Sequence, residues 1–255
     1  MPHMFINRPR LHNLNKGRGD LQAHFRWEMI NAVLYKIGGL LFIVGSIFFF
    51  PRFVAYADLG AWIFFAGSIV YLVVTVHDLA EVRRNWRVDK AHDRDTFLEY
   101  TAATSYVSGT ILFIMGSVFF LSAVGWLKAG AWLFVIGSLL FILGASINVL
   151  QIVKADSIML LQLMNLTAIS FIVGAVLFTL ASVPYLWDVA APFDRTTLYA
   201  FLAWQYLVGS LLFLAGGIFN SWRAYAFMRE AIGKAGYKKR QSRQRQQSRH
   251  PLEHQ

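Results

Sequence analysis

The stretch Leu59-Gly-Ala-Trp-Ile-Phe-Phe-Ala-Gly-Ser68 returns as Ala129-Gly-Ala-Trp-Leu-Phe-Val-Ile-Gly-Ser138 and, degraded, as Leu202-Ala-Trp-Gln-Tyr-Leu-Val-Gly-Ser210. Each copy follows another recurring apolar segment: Phe42-Ile-Val-Gly-Ser-Ile-Phe-Phe49, Phe113-Ile-Met-Gly-Ser-Val-Phe-Phe120 and Phe171-Ile-Val-Gly-Ala-Val-Leu-Phe178. Two segments repeated three times demand a fold that is itself one two-segment unit repeated, so the chain is not a single irregular core. The third copy has drifted most, with Ala175 where the others have serine and Leu202 where they have glycine.

The length of the segments fixes their form. A helix rises about 1.5 Å per residue, so about 20 apolar residues cross roughly 30 Å of hydrocarbon. Stretches near 31–51, 59–79, 104–124, 130–152, 160–183 and 198–220 reach or approach that length. They are continuously apolar, without the period-two alternation of a membrane β-barrel. With 56% hydrophobic and 15% charged residues, the chain is too apolar for an ordinary soluble domain. The reading is an all-α integral membrane protein of six transmembrane helices arranged as three tandem helical hairpins. Its parts are a basic N-terminal segment (1–30), hairpin 1 with a charged loop (31–100), hairpin 2 (101–157), hairpin 3 (158–228) and a basic tail (229–255) expected to be disordered.

Charge predicts sidedness. The N-terminal segment, the 80–100 loop, Lys154 and the tail hold nearly all Lys and Arg, whereas the other side carries Arg52, Lys128 and Arg195. The positive-inside rule then places both termini in the cytoplasm. Trp62, Trp126, Trp132, Trp187 and Tyr185 fall near the outer interface, and Trp27, Trp86, Trp222 and Tyr225 near the inner one. Residues 1–30 contain no apolar core of the kind a cleaved signal requires, so the N-terminus is expected to be retained.

The repeat also predicts how the helices dock. Gly45, Gly116 and Gly174 match one another in the odd spans, as do Gly67, Gly137 and Gly209 in the even ones. Further glycines lie seven residues away, as in Gly38/Gly45, Gly60/Gly67 and Gly130/Gly137/Gly144, giving each helix a stripe of small residues. Lipid supplies no hydrophobic drive for association, so close backbone approach along these stripes is the available packing mechanism. Ser46, Ser68, Ser117, Ser138 and Ser210 follow the motif glycines and can bond across to a neighbour or back to their own helix.

The Phe-Ile-x-Gly-Ser pattern, followed after about 20 residues by Gly-Ala-Trp-[Leu/Ile]-Phe-x-x-Gly-Ser, resembles the YrhK-like domain, a small bacterial membrane hairpin. The likeness covers 38–79 and 108–149, and 170–220 in part. It implies a two-helix unit of no assigned activity in a bacterial cytoplasmic membrane, and it brings no catalytic residues.

Few side chains could carry chemistry. Asp78, Asn148 and Asn220 occupy equivalent positions in the even spans, with His77 and Gln151 nearby. They either cap and interlock the cytoplasmic helix ends or form a pseudo-threefold polar ring for an ion, a lipid headgroup or a partner. The tail residues Lys238, Lys239, Arg240 and Arg243 suit anionic lipid headgroups, and no nucleic-acid fold accompanies them. The chain has no cysteine, and neither a metal-ligand spacing nor a nucleotide or hydrolase motif occurs, so no metal, cofactor or enzymatic activity is expected. The leading expectation is a non-enzymatic structural, interaction or lipid-binding module that associates with membrane lipids and with a membrane-protein partner or a second copy. The alternative is a small-solute or ion transporter or channel with its site at the repeat interface.

Overall fold

The computed structural model describes residues 19–88, 94–150, 158–187 and 192–249. The elements are α1 (Gly19–Phe48), a 3-10 turn (Pro51–Tyr56), α2 (Ala57–Val88), α3 (Arg94–Phe119), α4 (Leu127–Val149), α5 (Ile158–Ser182), a second 3-10 turn (Val183–Leu186) and α6 (Pro192–Arg249). Six stretches of these helices are long and apolar enough to cross a membrane: Met29–Phe48, Pro51–Arg84, Arg94–Phe119, Leu127–Val149, Ile158–Leu186 and Asp194–Ala226.

The helix ends depart from the expected boundaries for local reasons. α3 stops at Phe119 rather than near 124, because the chain turns through Gly125, whose N–H donates to Leu121 O (2.9 Å). Gly125 has φ 67°, a left-handed conformation that costs a residue with a Cβ roughly 1–2 kcal/mol. Most of the expected charged loop is instead helical, since α2 runs to Val88 and α3 begins at Arg94. No glycine or proline lies between 81 and 100, so helices nucleated in the apolar runs simply extend. Over residues 229–249 the tail expected to be disordered is helical on the same ground, and 250–255 lie outside the described residues. α6 continues to Arg249 through a segment rich in Ala, Lys, Arg and Gln, all good helix formers.

Each helix packs on the one before and the one after, and α6 packs on α1, so the six helices close into a ring. Within a pair the helices are antiparallel, as the glycine register shows. A Cβ added at Gly45 would meet Gly60 O at 3.2 Å, and one at Gly38 would meet Gly67 O at 3.4 Å. The same crossing recurs where Gly109 faces Gly137, Gly116 faces Gly130 and Gly174 faces Gly209.

Aromatic rings fill the inside. Phe42, Phe64, Phe113, Phe134, Phe171, Phe178, Tyr206 and Phe213 are all buried and belong to one core. The outward face is also apolar along its height, with Leu40, Val44, Val73, Leu139, Leu143, Ile169 and Leu211 exposed. A helix apolar on both faces needs apolar surroundings outside as well as a core inside, which is the condition a bilayer meets.

At the end of the ring where α1 gives way to α2, Asp58 clasps the neighbouring pair. Ser122 N donates to Asp58 Oδ1 at 2.8 Å, and Ser122 Oγ donates to Asp58 Oδ2. Asp58→Ala removes both acceptors. Amide exchange at Ser122, followed by hydrogen–deuterium exchange mass spectrometry, is expected to quicken at least severalfold while peptides from α5 keep their protection. Unchanged exchange at Ser122 would show that the clasp does not hold the turn.

Candidate functional site

Two regions hold the residues singled out above. The first is the seam between paired helices, where each motif glycine opens a notch and the facing helix fills it with a ring. A Cβ at Gly67 would lie 3.0 Å from the ring of Phe42, one at Gly137 would lie 2.8 Å from Phe113, and one at Gly209 would lie 2.7 Å from Phe178. A Cβ at Gly116 would meet Phe134 at 3.4 Å, and the ring of Phe64 occupies the notch at Gly45. At Gly116 and Gly174 backbone comes nearer than any ring, the carbonyls of Gly130 at 3.3 Å and of Gly209 at 3.0 Å. The helices thus approach until backbone meets backbone, and the space left by the missing side chain takes a phenyl group. This satisfies the close packing that membrane helices need in the absence of a hydrophobic drive.

The serines divide into three kinds. Ser117 Oγ donates back to Phe113 O at 2.8 Å, a bond local to its helix. Ser46 and Ser210 do the same to Phe42 O and Tyr206 O, and their hydroxyls also lie 3.1 Å apart, joining α1 to α6 where the ring closes. The hydroxyls of Ser68 and Ser138, at equivalent positions on α2 and α4, are buried without a hydrogen-bond partner among the described residues.

The second region is a polar level toward the end of the ring where α1 begins. Asp78 is 4% exposed and Asn148 0%, while Asn220 is half-buried. Asn148 Nδ2 donates to Tyr106 Oη at 3.1 Å, tying α4 to α3. Asn220 Oδ1 accepts from Arg223 Nε at 3.2 Å on its own helix, and the buried Arg223 is itself only 4% exposed. His77 Nδ1 lies 3.0 Å from Asn31 Nδ2 of α1. The amides of Asn148 and Asn220 are thus engaged with Tyr106 and Arg223. Gln151 lies outside the described residues, and the side chains of Lys238, Lys239, Arg240 and Arg243 fall outside them too.

Reading along the chain missed several members of this level. Tyr35, Tyr71 and Tyr106 are buried below it, with the Tyr35 and Tyr71 rings 4.2 Å apart. The Asn148 Oδ1 atom is buried without a hydrogen-bond partner among the described residues. A signal was present: Tyr35 and Tyr106 share one repeat position, and Arg223 sits three residues after Asn220, hence on the same helix face. On the opposite end, Ser182 Oγ and Tyr206 Oη lie 2.7 Å apart and join α5 to α6. No group of three or more His, Cys, Asp or Glu side chains able to hold a metal occurs among the described residues.

Against known proteins, residues 25–82 and 97–153 each match the family described as YrhK-like protein. The two matches cover α4 together with most of α1, α2 and α3, while the α5–α6 pair lies outside them. No curated protein matches the chain, and no solved structure does.

Proposed function

We propose, from the two matches to the YrhK-like protein family at residues 25–82 and 97–153, a non-enzymatic multi-pass membrane protein, a packed module that holds lipid or docks a membrane partner. In this reading the six apolar helices form three hairpins in a bacterial cytoplasmic membrane, with both termini on the cytoplasmic side. The α5–α6 pair is a third, diverged copy of the same unit.

One observation supports the reading above the rest: the interior of the helix ring is occupied by interlocked rings. Phe178, 0% exposed, has the rings of Phe42, Phe64, Phe113, Tyr206 and Phe213 within 5.2 to 6.3 Å. A transporter holds its substrate near mid-membrane on broken helices or charged groups. Here that depth is filled by hydrocarbon in direct contact, which suits a scaffold whose working surface is its outside.

The test separates the two classes. Protein purified from its native membrane in mild detergent is expected to retain lipid or a stoichiometric membrane partner. Liposomes containing this chain alone are expected to pass small ions and solutes no faster than empty ones. Protein-dependent flux, abolished by heat denaturation, would overturn the scaffold reading in favour of a transporter.

A further inference from the structure

The outward face of α2 can be followed from one end to the other. Ile69, Val73, Val76, Ala80, Arg83 and Arg87 are exposed and follow one another at alternating intervals of four and three, so they form one stripe along the helix. The stripe changes character abruptly, being apolar up to Ala80 and cationic beyond it. Trp62 is exposed at its other end. At about 1.5 Å per residue the rise from Trp62 to Arg83 is about 31 Å, close to the thickness of bilayer hydrocarbon. In the membrane-spanning reading, the tryptophan and the first arginine therefore stand at the two headgroup levels, with the apolar stripe between them.

Three cations share that end. Arg84 is exposed beside Arg83, and Arg87 follows about one turn later. None of the three takes part in an ion pair or a side-chain hydrogen bond among the described residues. Like charges four residues apart on a helix repel, so Arg83 and Arg87 oppose their own helix unless an anion lies between them. A groove of about 480 Å³ runs over this face, walled by Val76, Leu79, Ala80, Arg83, Arg84 and Arg87. Its floor passes from hydrocarbon to guanidinium in the direction in which a phospholipid passes from acyl chain to phosphate. Guanidinium groups present planar forks that match phosphate oxygens two at a time.

The repeat shows that the helix pair does not need these charges. Counted from the motif glycine, Arg83, Arg84 and Arg87 correspond to Val153, Lys154 and Ser157 in the second copy, and to Tyr225, Ala226 and Arg229 in the third. The first copy alone carries three cations there.

We propose that this face of α2 binds an anionic phospholipid, with Arg83, Arg84 and Arg87 holding the phosphate and Val76, Leu79 and Ala80 bedding the start of an acyl chain. The proposal rests on the membrane-spanning reading above and names the lipid that such a module would hold. In the orientation given there the arginines face the cytoplasmic leaflet, whose anionic lipids attract basic residues at the surface.

The experiment uses the full chain in a neutral detergent, titrated by calorimetry with short-chain phosphatidylglycerol, short-chain phosphatidylcholine and sodium phosphate. Phosphatidylglycerol is expected to bind wild type at least about tenfold more tightly than it binds the Arg83→Gln, Arg84→Gln, Arg87→Gln triple variant, and more tightly than phosphatidylcholine binds wild type. A second triple variant, Lys238→Gln, Lys239→Gln, Arg240→Gln, removes the same charge from the tail and is expected to bind phosphatidylglycerol within about twofold of wild type. Equal binding to wild type and to the α2 variant overturns the site. An equal loss in both variants overturns it too, because the attraction would then come from net charge alone. Sodium phosphate that binds as tightly as phosphatidylglycerol, with the same dependence on the three arginines, overturns the lipid as the occupant in favour of a soluble phosphate. If the α2 triple variant fails to fold, Arg83→Gln and Arg87→Gln made singly are each expected to weaken phosphatidylglycerol binding, and no weakening in either overturns the site. A folded chain that binds phosphatidylglycerol no better than the α2 variant does and passes no solute loses this site but keeps the scaffold reading. Flux in liposomes with arginine-dependent lipid binding removes the scaffold reading and supports the site.

Discussion

Gly137→Val is expected to destabilise the protein by at least about 2–3 kcal/mol, or to prevent its recovery as a folded species, because the new side chain has nowhere to go. The first added carbon would stand 2.8 Å from the ring of Phe113 and 3.0 Å from the carbonyl oxygen of Gly109. The ring could swing aside only by displacing Phe134, Phe141 or Phe178, each of which packs against it. The carbonyl cannot move without parting α3 from α4. Leu139→Val and Leu143→Val, on the exposed face of the same helix, serve as controls. They each remove one methylene in the same sequence neighbourhood and are expected to shift the melting temperature in detergent by no more than a degree or two. If Gly137→Val melted with these controls, the glycine seam would not be what holds the pair together.

That contrast between two faces of α4 also separates what the chain discloses from what it conceals. The helix pair could be read because its glycines recur at fixed spacing and its apolar runs have membrane-crossing length. Both are properties of one segment or of its copies. Closure of the ring could not be read. Leu139 and Phe141 are equally apolar, and when both faces of a helix are apolar, sequence periodicity no longer distinguishes the side that meets protein from the side that meets lipid.

The sites show the same limit. Asn148 drew attention as a polar residue in an apolar run, but its partner Tyr106 reads along the chain as one more aromatic. Arg83, Arg84 and Arg87 served as evidence for sidedness, a property that depends on charge alone. Only folding shows that they stand exposed at the end of an apolar stripe. The boundaries were misplaced where hydropathy ended before the helix did, as in the charged continuation of α2 to Val88. Hydrogen bonding along the backbone continues as long as nothing breaks it, whatever the polarity of the side chains.

Phe178→Ala is expected to cost about 3–5 kcal/mol, the range for deleting a fully buried phenyl group, and to do so through the centre of the ring instead of through any one pair. Phe178 lies on α5, yet the rings nearest to it come from α1, α2, α3 and α6: Phe42, Phe64, Phe113, Tyr206 and Phe213. Its removal therefore loosens four other helices together. The repeat supplies an internal control. Phe49 and Phe120 occupy the equivalent position in the first two copies but are only half-buried, so Phe120→Ala is expected to cost clearly less. Thermal unfolding in detergent, followed by tryptophan fluorescence, measures both variants on one scale. A Phe178→Ala variant no less stable than Phe120→Ala would mean that the centre of the ring is loosely filled. A loosely filled centre would leave room for a solute path, and the transporter reading would gain the ground that the packed interior now denies it.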